Sequence, residues 1–207
     1  MKKSSLRGAR RIGIFGGTFD PVHYGHLACA EQLKEAAGID VVMFIPCSRQ
    51  PHKPRYKPTD AAERLAMLRA ATRRYDGFTV SDMEIRRGGV SFTADTVSEV
   101  RSLVGKRPEI WLMLGMDAFL EVHRWKDPQV ILAECRFVVA ARPGYPGAGQ
   151  MRRMATGAVA RKCRFVEITA LGISSTDVRR RVARGRSIRF LVPDPVEAHI
   201  RRKGLYL

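Results

Sequence analysis

Two histidines three residues apart, His23 and His26, close the stretch Gly13-Ile-Phe-Gly-Gly-Thr-Phe-Asp-Pro-Val-His-Tyr-Gly-His26. The stretch leads from an apolar, strand-like segment through a glycine turn into a helix start. Gly16 and Gly17 let the backbone come close to a phosphate, and Thr18 offers a hydroxyl. The first turn of the helix adds free amides at the positive end of its dipole. Imidazoles at i and i+3 share a helix face, so both can point at one anion. The chemistry this implies is phosphate binding. Two histidines with no third ligand in the motif make a poor transition-metal set. The turn contains neither GxGxxG nor GxxxxGK[ST], which argues against a dehydrogenase and a P-loop NTPase.

A second chemical segment is Gly172-Ile-Ser-Ser-Thr-Asp-Val-Arg179. Ser174 or Ser175 can cap a helix here, leaving amides and Arg179 to hold a second phosphate group. An ordinary cap before a solvated basic helix accounts for the same residues. A third segment joins Gly115 and Asp117, just past an apolar run, to Trp125. Asp117 can accept from a ribose hydroxyl, and Trp125 is suited either to a core or to stacking on a ring.

The elements that must position these residues follow from periodicity. Strand-length apolar runs occur at Ile12 to Phe15, Val41 to Pro46, Thr79 to Ile85, Ile110 to Gly115, Phe137 to Ala141 and Phe165 to Ile168. They alternate with helical stretches, such as the one placing Leu27, Ala30, Leu33 and Ala37 on one face and the one carrying Leu65, Leu68 and Thr72. Asp60 with Glu63 offers a capping-box start to the latter. Alternation of this kind predicts an α/β, Rossmann-like, doubly wound parallel sheet with helices on both faces. In such sheets ligands bind beyond the carboxyl ends of the strands, where the strand order reverses. No linker or repeat divides residues 1–207, so one domain is expected, with residues 1–10 a flexible basic tail and Pro143 to Gly149 a loop.

The 207 residues carry 37 Lys and Arg against 20 Asp and Glu, a formal net charge of +17. Such a field attracts anions in general, whether nucleotides, nucleic acid or acidic lipid. The basic residues are dispersed and lack the aromatic companions of an RNA-binding surface. No apolar run approaches the ~20 residues of a membrane-spanning helix, and no signal-type segment follows the basic opening, so a cytoplasmic, membrane-free protein is expected. Cys29, Cys47, Cys135 and Cys163 form no CxxC pair and read as reduced structural thiols.

The first motif, GGTFDPVHYGH, resembles the TFDPxHxGH signature of the HxGH nucleotidyltransferase superfamily, and its wording is closest to the bacterial nicotinate mononucleotide adenylyltransferases. The resemblance spans nearly the whole chain. It takes in Pro51-His52-Lys53, Ser91 to Thr96, Leu114 to Asp117, Trp125, Arg142-Pro143, Ile173 to Arg179, and Phe190 to Pro193 through Tyr206. It implies transfer of the adenylyl group of ATP to nicotinate mononucleotide, with loss of pyrophosphate, in NAD biosynthesis. His23, His26, Ser175 and Arg179 are then the catalytic donors. ATP contacts fall to these four and to Gly16, Gly17, Thr18, Phe19, Gly115, Asp117, Arg142, Ile173 and Ser174. The mononucleotide falls to His52, Thr93, Trp125 and Lys126. Lys126 departs from the aromatic residue common at this position, and its ammonium favours an acid over a neutral amide.

The expected cofactor is Mg2+, carried mainly on the ATP phosphates because no carboxylate cage is evident. The expected partners are ATP and nicotinate mononucleotide, with no specific nucleic acid and with homo-oligomers left open. Two alternatives remain: a related transferase such as the phosphopantetheine type, and a basic nucleic-acid-binding protein with a vestigial nucleotide site.

Overall fold

The structure, a computed structural model, describes residues 6, 8–51, 57–141 and 161–207. Six parallel strands make one sheet in the order β3-β2-β1-β4-β5-β6. They are β1 (Arg11–Gly17), β2 (Val41–Pro46), β3 (Phe78–Val80), β4 (Glu109–Gly115), β5 (Cys135–Ala141) and β6 (Cys163–Glu167). The chain winds outward from β1 to β3, then returns to place β4 on the other side of β1. This reversal puts the topological switch point between β1 and β4, as expected of a doubly wound sheet.

Alternation along each strand sorts its side chains into two cores. On one face, Phe15, Phe44, Met113 and Val138 pack under α1 (Tyr24–Ala37) and α2 (Ala61–Thr72), with α7 (Ser175–Ala183) and α8 (Asp194–Lys203) completing the layer. On the other, Ile14, Met43, Leu112 and Phe137 pack under α3 (Met83–Arg87), α4 (Thr93–Val104), α5 (Met116–Leu120) and α6 (Pro128–Glu134). The expected apolar face of α1 is the buried one: Leu27, Ala30, Leu33 and Ala37 all lie inside, and Gly38 ends the helix at φ 62°. That left-handed conformation is the one glycine adopts without a Cβ penalty.

Two local expectations are corrected. The run Thr79 to Ile85 is not one strand: β3 stops at Val80, and Met83 begins the short helix α3. Asp82 favours this break, because its carboxylate pairs with Arg86 one turn on at 3.0 Å and with Arg69 at 3.2 Å. Asp60 does cap α2 by accepting from the Ala62 amide at 2.7 Å, but Glu63 closes no capping box. Its carboxylate turns instead to His199 and Lys203 on α8.

Within the stretch expected as a tail, Leu6 and Ala9 pack against the second core. The amides of Arg10 and Arg11 donate to the Asp40 carboxylate at 2.7 and 2.8 Å. The loop expected at Pro143 to Gly149 lies outside the described residues. Among the described residues no helix is long and apolar enough to cross a membrane.

Candidate active site

The glycine turn ends β1, and the two histidines begin α1. His23 is the N-cap residue, and its amide donates to Nδ1 of His26 at 3.3 Å. In a neutral imidazole that bond leaves the proton of His26 on Nε2. The two rings stack with centroids 3.7 Å apart. Gly25 lies between them and α7: a Cβ there would stand 3.0 Å from the His23 ring and 3.5 Å from the Ile173 carbonyl. The missing side chain therefore lets the starts of α1 and α7 lie side by side.

Side chains fasten that junction. Ser174, and not Ser175, caps α7 by accepting from the Asp177 amide at 3.1 Å. Ser175 donates its hydroxyl to the Pro21 carbonyl at 2.9 Å, and Arg179 donates to the Asp20 carbonyl at 2.7 Å. Two segments more than 150 positions apart are thus held together by side chains of the second on the backbone of the first. Two helix N-termini then face one cleft of about 280 Å³, whose lining includes His23, His26, Gly115, Ile173, Ser174 and Ser175. Converging dipole ends and imidazole and hydroxyl donors suit a polyphosphate.

Across the sheet lies a second cleft of about 420 Å³. Thr93 from the start of α4, with Trp125 and Lys126 from the segment before α6, form part of its wall. Trp125 is only partly buried, so a ring face remains available for stacking. Lys126 places Nζ 3.0 Å from an Asp95 carboxylate oxygen and 4.9 Å from the centre of the Phe92 ring. Its charge therefore sits at the mouth of the cleft, partly offset by Asp95.

Residues 14–181 match the profile of the cytidylyltransferase-like family. The chain belongs to this family. A curated relative from Moorella thermoacetica, named "Probable nicotinate-nucleotide adenylyltransferase", is 42% identical over 202 residues, covering 95% of this chain and 91% of its own. A relative of the same name from Thermus thermophilus is 39% identical over 196 residues, covering 95% and 99%. These identities place the chain among the nicotinate-nucleotide adenylyltransferases. Nicotinic acid mononucleotide adenylyltransferase of Plasmodium falciparum, solved in complex with NaAD, shares the fold with a TM-score of 0.75 at 18% identity, covering 95% of this chain and 97% of that one. The same enzyme in complex with APC gives a TM-score of 0.74.

In this cytidylyltransferase-like chain the remaining motif residues take varied places. Gly16 and Gly17 line the second cleft, and a Cβ on Gly16 would meet open space. Gly17 has a packing reason as well, since a Cβ there would lie 3.0 Å from the Phe19 ring. The Phe19 ring itself is buried and edge-on to His26, so only its backbone is placed to meet a ligand. Thr18 is held from behind: its carbonyl accepts from the buried Arg64 at 2.8 Å, and its hydroxyl accepts from the Cys47 thiol at 3.7 Å. Asp117 is exposed on the first turn of α5, beside Gly115. His52 and Arg142 lie outside the described residues.

Sequence reasoning missed Glu84, Cys47 and Arg124, all of which reach the second cleft. Glu84 was hidden inside a run read as a strand. Burial pushes its carboxyl above the usual carboxylate range, against hydrogen bonds from Thr96 and Ser91 that oppose the rise. Burial likewise raises the Cys47 thiol, so it remains a protonated neighbour of Thr18.

Proposed function

We propose that this chain transfers the adenylyl group of ATP to nicotinate mononucleotide, giving nicotinate adenine dinucleotide and pyrophosphate. The observation that carries the reading is the pair of clefts on opposite faces of the sheet, each lined by residues from the carboxyl ends of β1 and β4. Alternate residues of β1 divide between them, with Phe15 on the first and Ile14 and Gly16 on the second. The side chain missing at Gly16 leaves open space at the end of β1, where an acceptor phosphate and the α-phosphorus of ATP would meet. The names of the relatives point to the same pair of substrates.

The reaction is a single in-line displacement. A phosphate oxygen of the mononucleotide forms the new bond to the α-phosphorus as the bond to the pyrophosphate oxygen breaks. The acceptor is already ionised near neutral pH, so no protein nucleophile or general base is required. The protein aligns two mutually repelling anions, an effect worth ~7 to 11 kcal/mol at its most favourable. His23 and His26 face the triphosphate from α1, and the amides of α7 face it from the other side of the cleft. Ser175 and Arg179 hold that geometry on the Asp20-Pro21 backbone, and the Arg179 guanidinium would offset charge on the leaving pyrophosphate. Each preorganised donor of this kind is worth about 3 to 4 kcal/mol.

The donor set of imidazoles, hydroxyls, amides and guanidinium suits anions, and the Asp20 carboxylate is engaged by the Thr59 amide and Tyr206. Mg2+ would accordingly enter as part of the nucleotide, held by phosphate oxygens and water. When bound it screens the triphosphate charge. On the second face, Trp125 would stack on the pyridine, while Thr93 and Lys126 would face its carboxylate.

The deciding experiment measures pyrophosphate release with ATP and Mg2+ and three acceptors: nicotinate mononucleotide, nicotinamide mononucleotide and phosphopantetheine. Preference for the first supports the reading. Preference for another keeps the displacement and changes the acceptor, and no release with any acceptor removes the enzyme reading.

A further inference from the structure

The second cleft contains a buried acid that the adenylyl transfer does not use. Glu84 lies on α3 and is 7% exposed. Its Oε1 accepts from the Thr96 hydroxyl at 2.6 Å, and Ser91, which shares the cleft lining, favours the charged form of the same carboxyl group. Each partner extends the connection. Thr96 stands one turn into α4, where its Oγ1 also accepts from Arg87 at 2.8 Å. Ser91 Oγ accepts from the Ser48 amide at 2.9 Å, and the Ser91 amide donates to the Arg49 carbonyl at 2.9 Å. One carboxyl group therefore spans the start of α4, the loop before it and the loop that follows β2.

Those segments are walls of the cleft: Ser91, Phe92 and Thr93 form one side, and Cys47, Gln50 and Pro51 another. The third wall depends on the first, because Lys126 rests on the Phe92 ring and pairs with Asp95 in the first turn of α4. A shift at the start of α4 is thus passed to Lys126 and its neighbour Trp125. The first cleft lies on the opposite face of the sheet and contains none of these contacts.

We propose that Glu84 is a positioning residue for acceptor specificity: it holds the walls of the pyridine-side cleft at the spacing that fits the mononucleotide, without touching the reacting atoms. This rests on the reading of that cleft as the acceptor site. The carboxyl group acts by its two-ended span rather than by its charge. Glutamine can preserve that span, with its oxygen accepting from Thr96 and its NH2 donating to Ser91 Oγ. Alanine removes it and leaves two buried hydroxyls to find other partners.

The test compares wild type, Glu84→Ala and Glu84→Gln by steady-state kinetics and by amide hydrogen exchange without ligands. Glu84→Ala should raise KM for nicotinate mononucleotide at least about tenfold, with KM for ATP and kcat each within about threefold of wild type. Exchange at residues 91–96 should quicken while residues 23–29 stay unchanged. Glu84→Gln should restore both readouts to within about threefold of wild type. Should Glu84→Ala not fold, Thr96→Val removes the same link from its other end and should shift both readouts the same way.

Equal loss for ATP and the mononucleotide, unchanged exchange at 91–96, or failure of glutamine to restore function would each overturn the proposal. A wild-type protein that ignores nicotinate mononucleotide while exchange responds as stated would instead overturn the reading of the acceptor, leaving the clamp in place.

Discussion

The hydroxyl of Tyr206 donates to Oδ1 of Asp20 at 2.7 Å, across 186 positions of chain. Asp20 is almost fully buried, its other oxygen accepts from the Thr59 amide at 3.2 Å, and its carbonyl accepts from Arg179. One residue of the glycine turn thus gathers the segment before α2, the helix α7 and the segment after α8. Burial and the neighbouring Asp20 charge both push the Tyr206 phenol well above its ordinary value, so it stays a donor.

Removing that donor while keeping the ring isolates its role. Tyr206→Phe should cost about 1.5 to 3 kcal/mol, the usual worth of a hydrogen bond to a charged group. Urea denaturation measures it. A change within roughly 0.5 kcal/mol, the scale of a surface substitution, would mean that Asp20 is satisfied without the phenol.

Arg179 links the start of α7 to the turn before α1 through the Asp20 carbonyl, and the proposed function gives it the leaving pyrophosphate. Arg179→Ala should lower kcat/KM at least about tenfold in a protein that still folds. Circular dichroism and initial rates together settle it, and near-normal turnover removes Arg179 from the catalytic set.

Trp125 belongs to the second cleft alone. Trp125→Ala should raise KM for nicotinate mononucleotide far more than KM for ATP, by about five- to 150-fold for a lost aromatic stack of about 1 to 3 kcal/mol. Equal losses for both substrates would point to a core role.

Lys126 is half exposed and shared with Asp95, which limits what its charge can do. Lys126→Ala should narrow the preference for the nicotinate over the nicotinamide mononucleotide by about fivefold, the scale of a solvent-screened pair near 1 kcal/mol. The ratio of kcat/KM values is the readout. An unchanged ratio would leave discrimination to the main chain.

The cluster joining α2 to α8 supplies an acid-sensitive contact. His199 and Lys203 hydrogen-bond Glu63 and hold its carboxyl below the usual carboxylate range. A carboxyl lowered on folding adds stability that is fully present above its unfolded pKa. That stability is lost as pH falls through the folded value. Glu63→Gln should therefore lower Tm at pH near 7 and flatten the acid-side fall of Tm between about pH 5 and 3. A mutant curve parallel to wild type throughout would show that Glu63 titrates alike in both states.

Much of the site was legible because it is built from short, contiguous pieces. The glycine turn, the paired histidines and the Ser174 cap each announce a helix start from local geometry alone. Five of the six strand readings overlap the observed strands along most of their length, since fully buried parallel strands are continuous apolar runs. The run from Thr79 misled for the same reason: Met83 is apolar because a short helix buries it in the second core. Glu63 misled because a capping-box spacing says nothing of a competing histidine on a helix 136 positions away.

What the sequence determined by itself was the inventory: a doubly wound α/β sheet, two helix starts rich in polar donors and an aromatic residue beyond β4. Local rules suffice there, because caps, turns and side-chain periods depend on neighbours within a few residues. Tertiary structure alone decided which of those pieces meet. The winding order sets Gly16 in the lining of the second cleft, Arg179 on the Asp20 carbonyl and Glu84 between the walls of that cleft. Such contacts follow from the packing of helices on both faces of one twisted sheet, and no spacing along the chain encodes them.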